Sequence, residues 1–142
     1  RFDVHIDSIK NAYIDDYAHH PKEIMMTLLA TKELFPKRKL TVVFQPHLFS
    51  RTKDFGTEFA KSLSRFDEVI LLEIYPAREE SIEGISSKWL LDKIANENKK
   101  IVAKKDLFIE VKHSNSKVKL MVGAGDIGVE VESITKYLKD ED

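Results

Sequence analysis

The feature that most constrains this chain is an alternation. Short apolar runs of strand length take turns with longer stretches whose apolar residues recur at helical spacing. Runs at residues 3–6, 12–15, 40–45, 68–74, 101–103 and 117–122 read as strands, several of them nearly continuous in Val, Ile and Leu. Strands of that kind are buried on both faces. Strands alternating with helices build a mostly parallel sheet covered on each side. The expected fold is therefore α/β, a Rossmann-like three-layer domain with a mostly parallel sheet of about six strands and helices on both faces, and residues 1–142 are expected to form one domain.

The helices follow from spacing. Ile24, Leu28 and Phe35, with Met25 and Leu29 beside them, predict an apolar stripe on a helix begun by Pro21, a residue suited to a first turn because it has no N–H to satisfy. Phe55, Phe59, Leu63 and Phe66 predict a second helix, capped by Ser50 or Thr52. Trp89, Leu90 and Ile94 predict a third after Ser86, and Leu107, Phe108 and Val111 a fourth behind a capping Asp106. Ile127, Val131, Ile134 and Leu138 predict a last one. Residues 75–85, YPAREESIEGI, are irregular and read as a functional loop.

Composition narrows the function classes. With 23 basic and 24 acidic residues the net charge is −1, so no global field draws the chain to nucleic acid or to an anionic membrane surface. An anionic ligand needs a local site. The absence of cysteine removes disulfides, thiolate metal sites and cysteine nucleophiles. No apolar run approaches the roughly 20 residues of a membrane span.

Three polar clusters fall at predicted strand ends, where open α/β sheets bind ligands. The first is IDDYAHHP, residues 14–21. Asp15, Asp16, His19 and His20 have the chemistry of metal ligands, but consecutive residues on a turn rarely all face one ion. A ligand-binding rim and a solvated helix cap are both open readings, and no metal site is expected. The second, FQPHLFSRT, places Arg51 near a helix start, where its guanidinium and free backbone donors suit a carboxylate or phosphate, with His47 as a further donor. The bland reading is a turn with a surface Arg and His. The third, EIYPARE, carries Tyr75 and Arg78, and Arg78 could simply pair with Glu79 or Glu80. GAGDIG at residues 123–128 matches a dinucleotide fingerprint in letters, but no further strand follows it, so a tight strand-to-helix turn is the better reading. The chain has no G-x-x-x-x-G-K-[ST] phosphate loop.

Taken in order, YIDDYAHHP, VFQPHLFSRT, IYPARE and GAGDI resemble the C-terminal domain of the Mur ligases, the ATP-dependent enzymes of peptidoglycan synthesis and so of cell-wall biogenesis, cell shape and division. The resemblance covers essentially the whole chain. The QPH-x-x-S-R-T segment is similar to that of the alanine-adding branch. What the resemblance implies is a fragment of a three-domain bacterial cytoplasmic ligase, whose missing N-terminal and central domains hold UDP-N-acetylmuramate and most of the ATP and Mg contacts. It implies an acyl phosphate formed from ATP and the muramoyl carboxylate, attacked by the amine of L-alanine. The start on Arg1 is then expected to be a domain cut, and the fragment alone to be inactive. By resemblance, Asp16 is expected at the ATP ribose and Tyr17 and His19 at the walls of the alanine pocket. His47 and Arg51 are expected to hold the alanine carboxylate and balance charge at the reacting phosphoryl group. Leu48 departs from family members with Arg there, which leaves Arg51 as the principal cation. The alternatives are the related muropeptide-recycling ligase, a receiver-like phosphoacceptor module and a metal hydrolase.

Overall fold

The computed structural model describes residues 2–7, 12–114, 116–128, 130, 131 and 134–136. Six strands form one sheet in the order β1-β2-β6-β3-β4-β5: β1 Phe2–Asp7, β2 Ala12–Asp16, β3 Leu40–Phe44, β4 Glu68–Leu71, β5 Lys99–Ile101 and β6 Val118–Val122. Among the described residues only the β1–β2 pair is antiparallel. The helices are α1 Pro21–Leu34, α2 Phe49–Asp54, α3 Gly56–Leu63, α4 Ser87–Lys93 and α5 Leu107–His113, with a 3-10 turn at Lys104–Asp106. Residues 127, 128, 130, 131 and 134–136 are also helical, while Leu138 of the predicted stripe lies outside the described residues.

Side-chain alternation along the strands splits the interior into two layers. Val42 and Phe44 of β3 face Ile24, Leu28, Phe59, Leu63 and Leu90 of α1, α3 and α4. Val43, between them, faces the opposite layer, with Leu107 and Val111 of α5 and with Ile127, Val131 and Ile134. The apolar strands are continuous because both faces are covered, and the expected three-layer fold is the one observed.

Several local expectations are corrected. Leu29 is 53% exposed, so the α1 stripe is narrower than the sequence suggests. The helix predicted through Phe55 is broken there into α2 and α3, and Phe55 turns outward to meet the ring of His20 at 5.2 Å. Neither Ser50 nor Thr52 caps α2; its N-cap is Leu48, at φ +75°. Asp106 precedes α5 but makes no side-chain cap bond, and Phe108 is exposed rather than on the buried face with Leu107 and Val111. Ser86 does cap α4, accepting from Trp89 N at 3.1 Å.

All the parallel strands end on the same edge. That edge therefore gathers the segments after β2, β6, β3, β4 and β5 side by side, in the crevice where open α/β sheets place ligands.

Candidate functional site

Asp15 and Asp16 are neighbours in β2 and so point to opposite faces. Asp15 Oδ2 lies 3.7 Å from His5 Nε2 on the sheet's antiparallel edge. Burial, opposed by His5, pushes its carboxyl above the ordinary range, with Asp3 and Asp16 adding to the rise. Asp16 is buried against α1, accepting from Ala18 N at 3.2 Å through Oδ1 and from the Thr27 hydroxyl through Oδ2. The two carboxylates do not share a site. Among the described residues no group of three or more His, Cys, Asp or Glu side chains stands together as a metal would require.

The α1 cap is made by a residue the sequence reading passed over. Glu23 Oε1 accepts from His19 N at 3.1 Å and from His20 N at 3.0 Å, the reciprocal arm of a capping box. Burial raises the Glu23 carboxyl, but those backbone bonds and the charges of His19 and His20 outweigh it and bring it below the ordinary range. This fixes the turn 17–20, in which His19 Nδ1 lies 3.1 Å from Tyr17 O. A cleft of about 370 Å³ opens beside it, lined by Phe2, Asp16, Tyr17, His19, Met26 and Thr27 among others.

His47 and Arg51 lie next to that cleft rather than in its wall. The His19 and His47 rings are 6.2 Å apart, and Arg51 Nη1 lies 3.0 Å from His47 Nδ1 and 3.3 Å from His47 O. Their i, i+4 spacing across the start of α2 brings the two side chains together. Burial and the Arg51 charge hold the His47 imidazolium below its ordinary pKa, with His19 acting the same way and Glu79 opposing.

The segment after β4 contributes two contacts the sequence did not reveal. Tyr75 stacks on His47, with ring centroids 5.5 Å apart and 11° between planes. Glu79 accepts from Ser50 N at 3.1 Å and from the Ser50 hydroxyl, which together with Arg51 holds its carboxyl below the ordinary range. The Glu79 partner is thus Ser50 at the start of α2, where the sequence suggested Arg78. The β6 segment completes the edge. Gln45 donates to Asp126 and accepts from Ile127 N at 2.9 Å, while Lys104 pairs with the other oxygen of Asp126. A Cβ on Gly125 would stand 2.6 Å from Tyr75 Cγ, so the turn read from GAGDIG needs glycine for close approach.

Residues 1–127 match the family described as Mur ligase, glutamate ligase domain. The chain is 59% identical over 140 residues to a UDP-N-acetylmuramate–L-alanine ligase of Flavobacterium johnsoniae, covering 99% of this chain and 31% of the relative. It is 49% identical over 138 residues to the ligase of that name from Parabacteroides distasonis, covering 97% and 30%. Among solved structures, the UDP-N-acetylmuramate-alanine ligase of Thermotoga maritima superposes with a TM-score of 0.77 at 30% identity, over 100% of this chain and 30% of that one. A domain from a Haemophilus ducreyi ligase superposes at 0.66 and 19% identity, over 97% and 99%, which shows the shared fold. The chain thus spans about three-tenths of the length of the curated relatives it matches. No helix among the described residues is long and apolar enough to cross a membrane.

Proposed function

From the premise that this chain belongs to the Mur ligase family, as its C-terminal domain, we propose that it supplies the amino-acid side of a ligase that joins L-alanine to UDP-N-acetylmuramate with ATP, in the bacterial cytoplasm. The observation that carries the reading is the convergence of four side chains from two strand ends. Tyr17 and His19 follow β2, His47 and Arg51 follow β3, and the His19 and His47 rings lie 6.2 Å apart.

Arg51 offers a planar, two-pronged donor to the alanine carboxylate, and His47 adds a hydrogen bond beside it. Tyr17 and His19 wall the space around a methyl side chain, and a small pocket discriminates by excluding larger ones. With its carboxylate held, the alanine amine is oriented toward the activated muramoyl carbon. A C–N bond forms there, phosphate leaves, and the amine loses a proton. These residues position and balance charge rather than form covalent bonds.

The cleft beside Asp16 fits a nucleoside: Phe2, Met26 and Ala30 give apolar walls, and the Asp16 carboxylate is an acceptor for a ribose hydroxyl. ATP supplies the phosphoryl group that activates the acceptor carboxylate. The phosphate loop and most contacts to ATP and Mg would come from the central domain of the parent protein, and UDP-N-acetylmuramate from its N-terminal domain. The chain alone is expected to be inactive, because its pocket is completed only on domain closure. The peptide-recycling alternative is not favoured, since relatives at 59% and 49% identity bear the alanine-ligase name.

The test is alanine kinetics in the full-length enzyme. Removing a charged partner from a carboxylate costs about 1.5–3 kcal/mol, so Arg51→Ala should raise the KM for alanine roughly 10- to 100-fold. An unchanged KM takes Arg51 out of the site.

A further inference from the structure

His47 is restrained from three sides. Its backbone is bridged to the segment after β4: Tyr75 N donates to Pro46 O at 2.8 Å, and Leu48 N donates to Tyr75 O at 2.8 Å. One face of its ring lies against Tyr75, nearly parallel. Tyr75 is itself backed by Gly125, where any Cβ would press on Tyr75 Cβ at 2.8 Å. Gly125 cannot drift away, because Asp126 beside it is tied to Gln45 and Lys104. The third restraint is Arg51, whose Nη1 meets His47 Nδ1 at 3.0 Å.

That last contact has only one chemical reading. A guanidinium donates and never accepts, so His47 Nδ1 must be the acceptor and must carry no hydrogen. The ring's single N–H is then on Nε2. The charged groups around it agree on balance: Arg51 and His19 disfavour an imidazolium, and Glu79 alone favours one.

We infer that Arg51 and Tyr75 lock His47 as the neutral Nε2–H tautomer in one ring orientation, making it a fixed hydrogen-bond donor to the bound carboxylate, with Tyr75 a positioning residue. The inference rests on the reading of His47 and Arg51 as holders of the alanine carboxylate. It excludes a base role for Nδ1, and it gives Tyr75 a function through a contact made 28 residues along the chain from His47.

The experiment is nitrogen-resolved NMR of the imidazoles of this chain, together with alanine kinetics of the full-length enzyme. His47 should show an unprotonated Nδ1 and a protonated Nε2 at neutral pH, near where an unperturbed histidine changes charge. A mixed tautomer, an Nδ1–H signal or a doubly protonated ring at neutral pH overturns the lock. Tyr75→Phe should keep this signature and the alanine KM, whereas Tyr75→Leu should mix the tautomers and raise that KM roughly tenfold, with kcat changed less. A Tyr75→Leu protein that keeps both wild-type tautomer and KM overturns the positioning role. If Arg51→Ala leaves the alanine KM unchanged, the carboxylate reading fails with the donor role, while the wild-type spectrum still decides the tautomer by itself.

Discussion

Thr27 donates its hydroxyl to Asp16, tying the last residue of β2 to the buried face of α1. The same oxygen lies 2.9 Å from Glu23 O, one turn earlier in the helix. Both partners are buried, Thr27 at 3% exposure and Asp16 at 8%. A carboxylate in such a place must keep its donors, because an unsatisfied buried acceptor bears its full desolvation penalty.

Thr27→Val tests this with little change of shape. It should destabilise the chain by about 1–3 kcal/mol through the lost donor to Asp16. Urea unfolding reads the change as a lower midpoint at constant slope. If the midpoint does not move, the Asp16 carboxylate finds another donor and the Thr27 bond is dispensable.

Gly125 and Gly128 lie three residues apart in GAGDIG and should respond oppositely to alanine. At Gly125 a Cβ meets Tyr75 Cγ at 2.6 Å and Gln45 Oε1 at 2.5 Å, so Gly125→Ala should overpack the site at a cost of about 1–3 kcal/mol. At Gly128 the Cβ meets nothing within 4 Å, and the residue is exposed and helical. Gly128→Ala should therefore gain up to about 1 kcal/mol of helix propensity. Paired denaturation curves check the signs, and equal effects would mean that the Tyr75 contact is not tight.

How much of this was legible in the sequence depended on how local each cause was. Strands β3, β4 and β6 could be read because burial on both faces leaves a run of Val, Ile and Leu that no other environment favours. By contrast β5, a partly exposed edge strand at Lys99–Ile101, shares only Ile101 with the run predicted at 101–103. Ser86 could be read because a cap and its helix are neighbours in sequence. The start of α2 could not be read, because it is set from a distance. Leu48 takes a positive φ where its N–H reaches Tyr75, and Ser50 is held by Glu79, 29 residues further on. The break at Phe55 was hidden for a related reason: an apolar residue at helical spacing reads as core, whereas Phe55 is 37% exposed, with its ring against that of His20. At the candidate site, the residue types at the strand ends were visible, whereas the pairing of Gln45 with Asp126 and of Tyr75 with His47 needed the strand order.

The cap on α4 gives a smaller and independent prediction. Ser86 Oγ accepts from Trp89 N at 3.1 Å, and Trp89 packs beside Gly56 at the α2–α3 break. Ser86→Ala should cost about 1 kcal/mol. Ser86→Asp should retain most of the stability, since a carboxylate accepts the same bond and faces the positive helix end. A loss with Asp as large as with Ala would show that the hydroxyl does something other than cap.

Asp15 yields a pH prediction with a definite sign. Burial raises its carboxyl in the fold, His5 only partly offsets this, and Asp3 and Asp16 add to the rise. The folded value therefore lies above the unfolded one. Between the two, the folded chain holds the proton more tightly than the unfolded chain, so stability falls as pH rises through that window and stays lower above it. Asp15→Asn removes the ionisation without changing the shape. The variant should melt at a higher temperature than the wild type at pH 7, and the advantage should vanish near pH 3, roughly one unit below the ordinary aspartate value, where both chains are neutral at this position. A variant that melts at or below the wild-type temperature at pH 7 would show that the His5 contact at 3.7 Å outweighs the penalty of burying the charge.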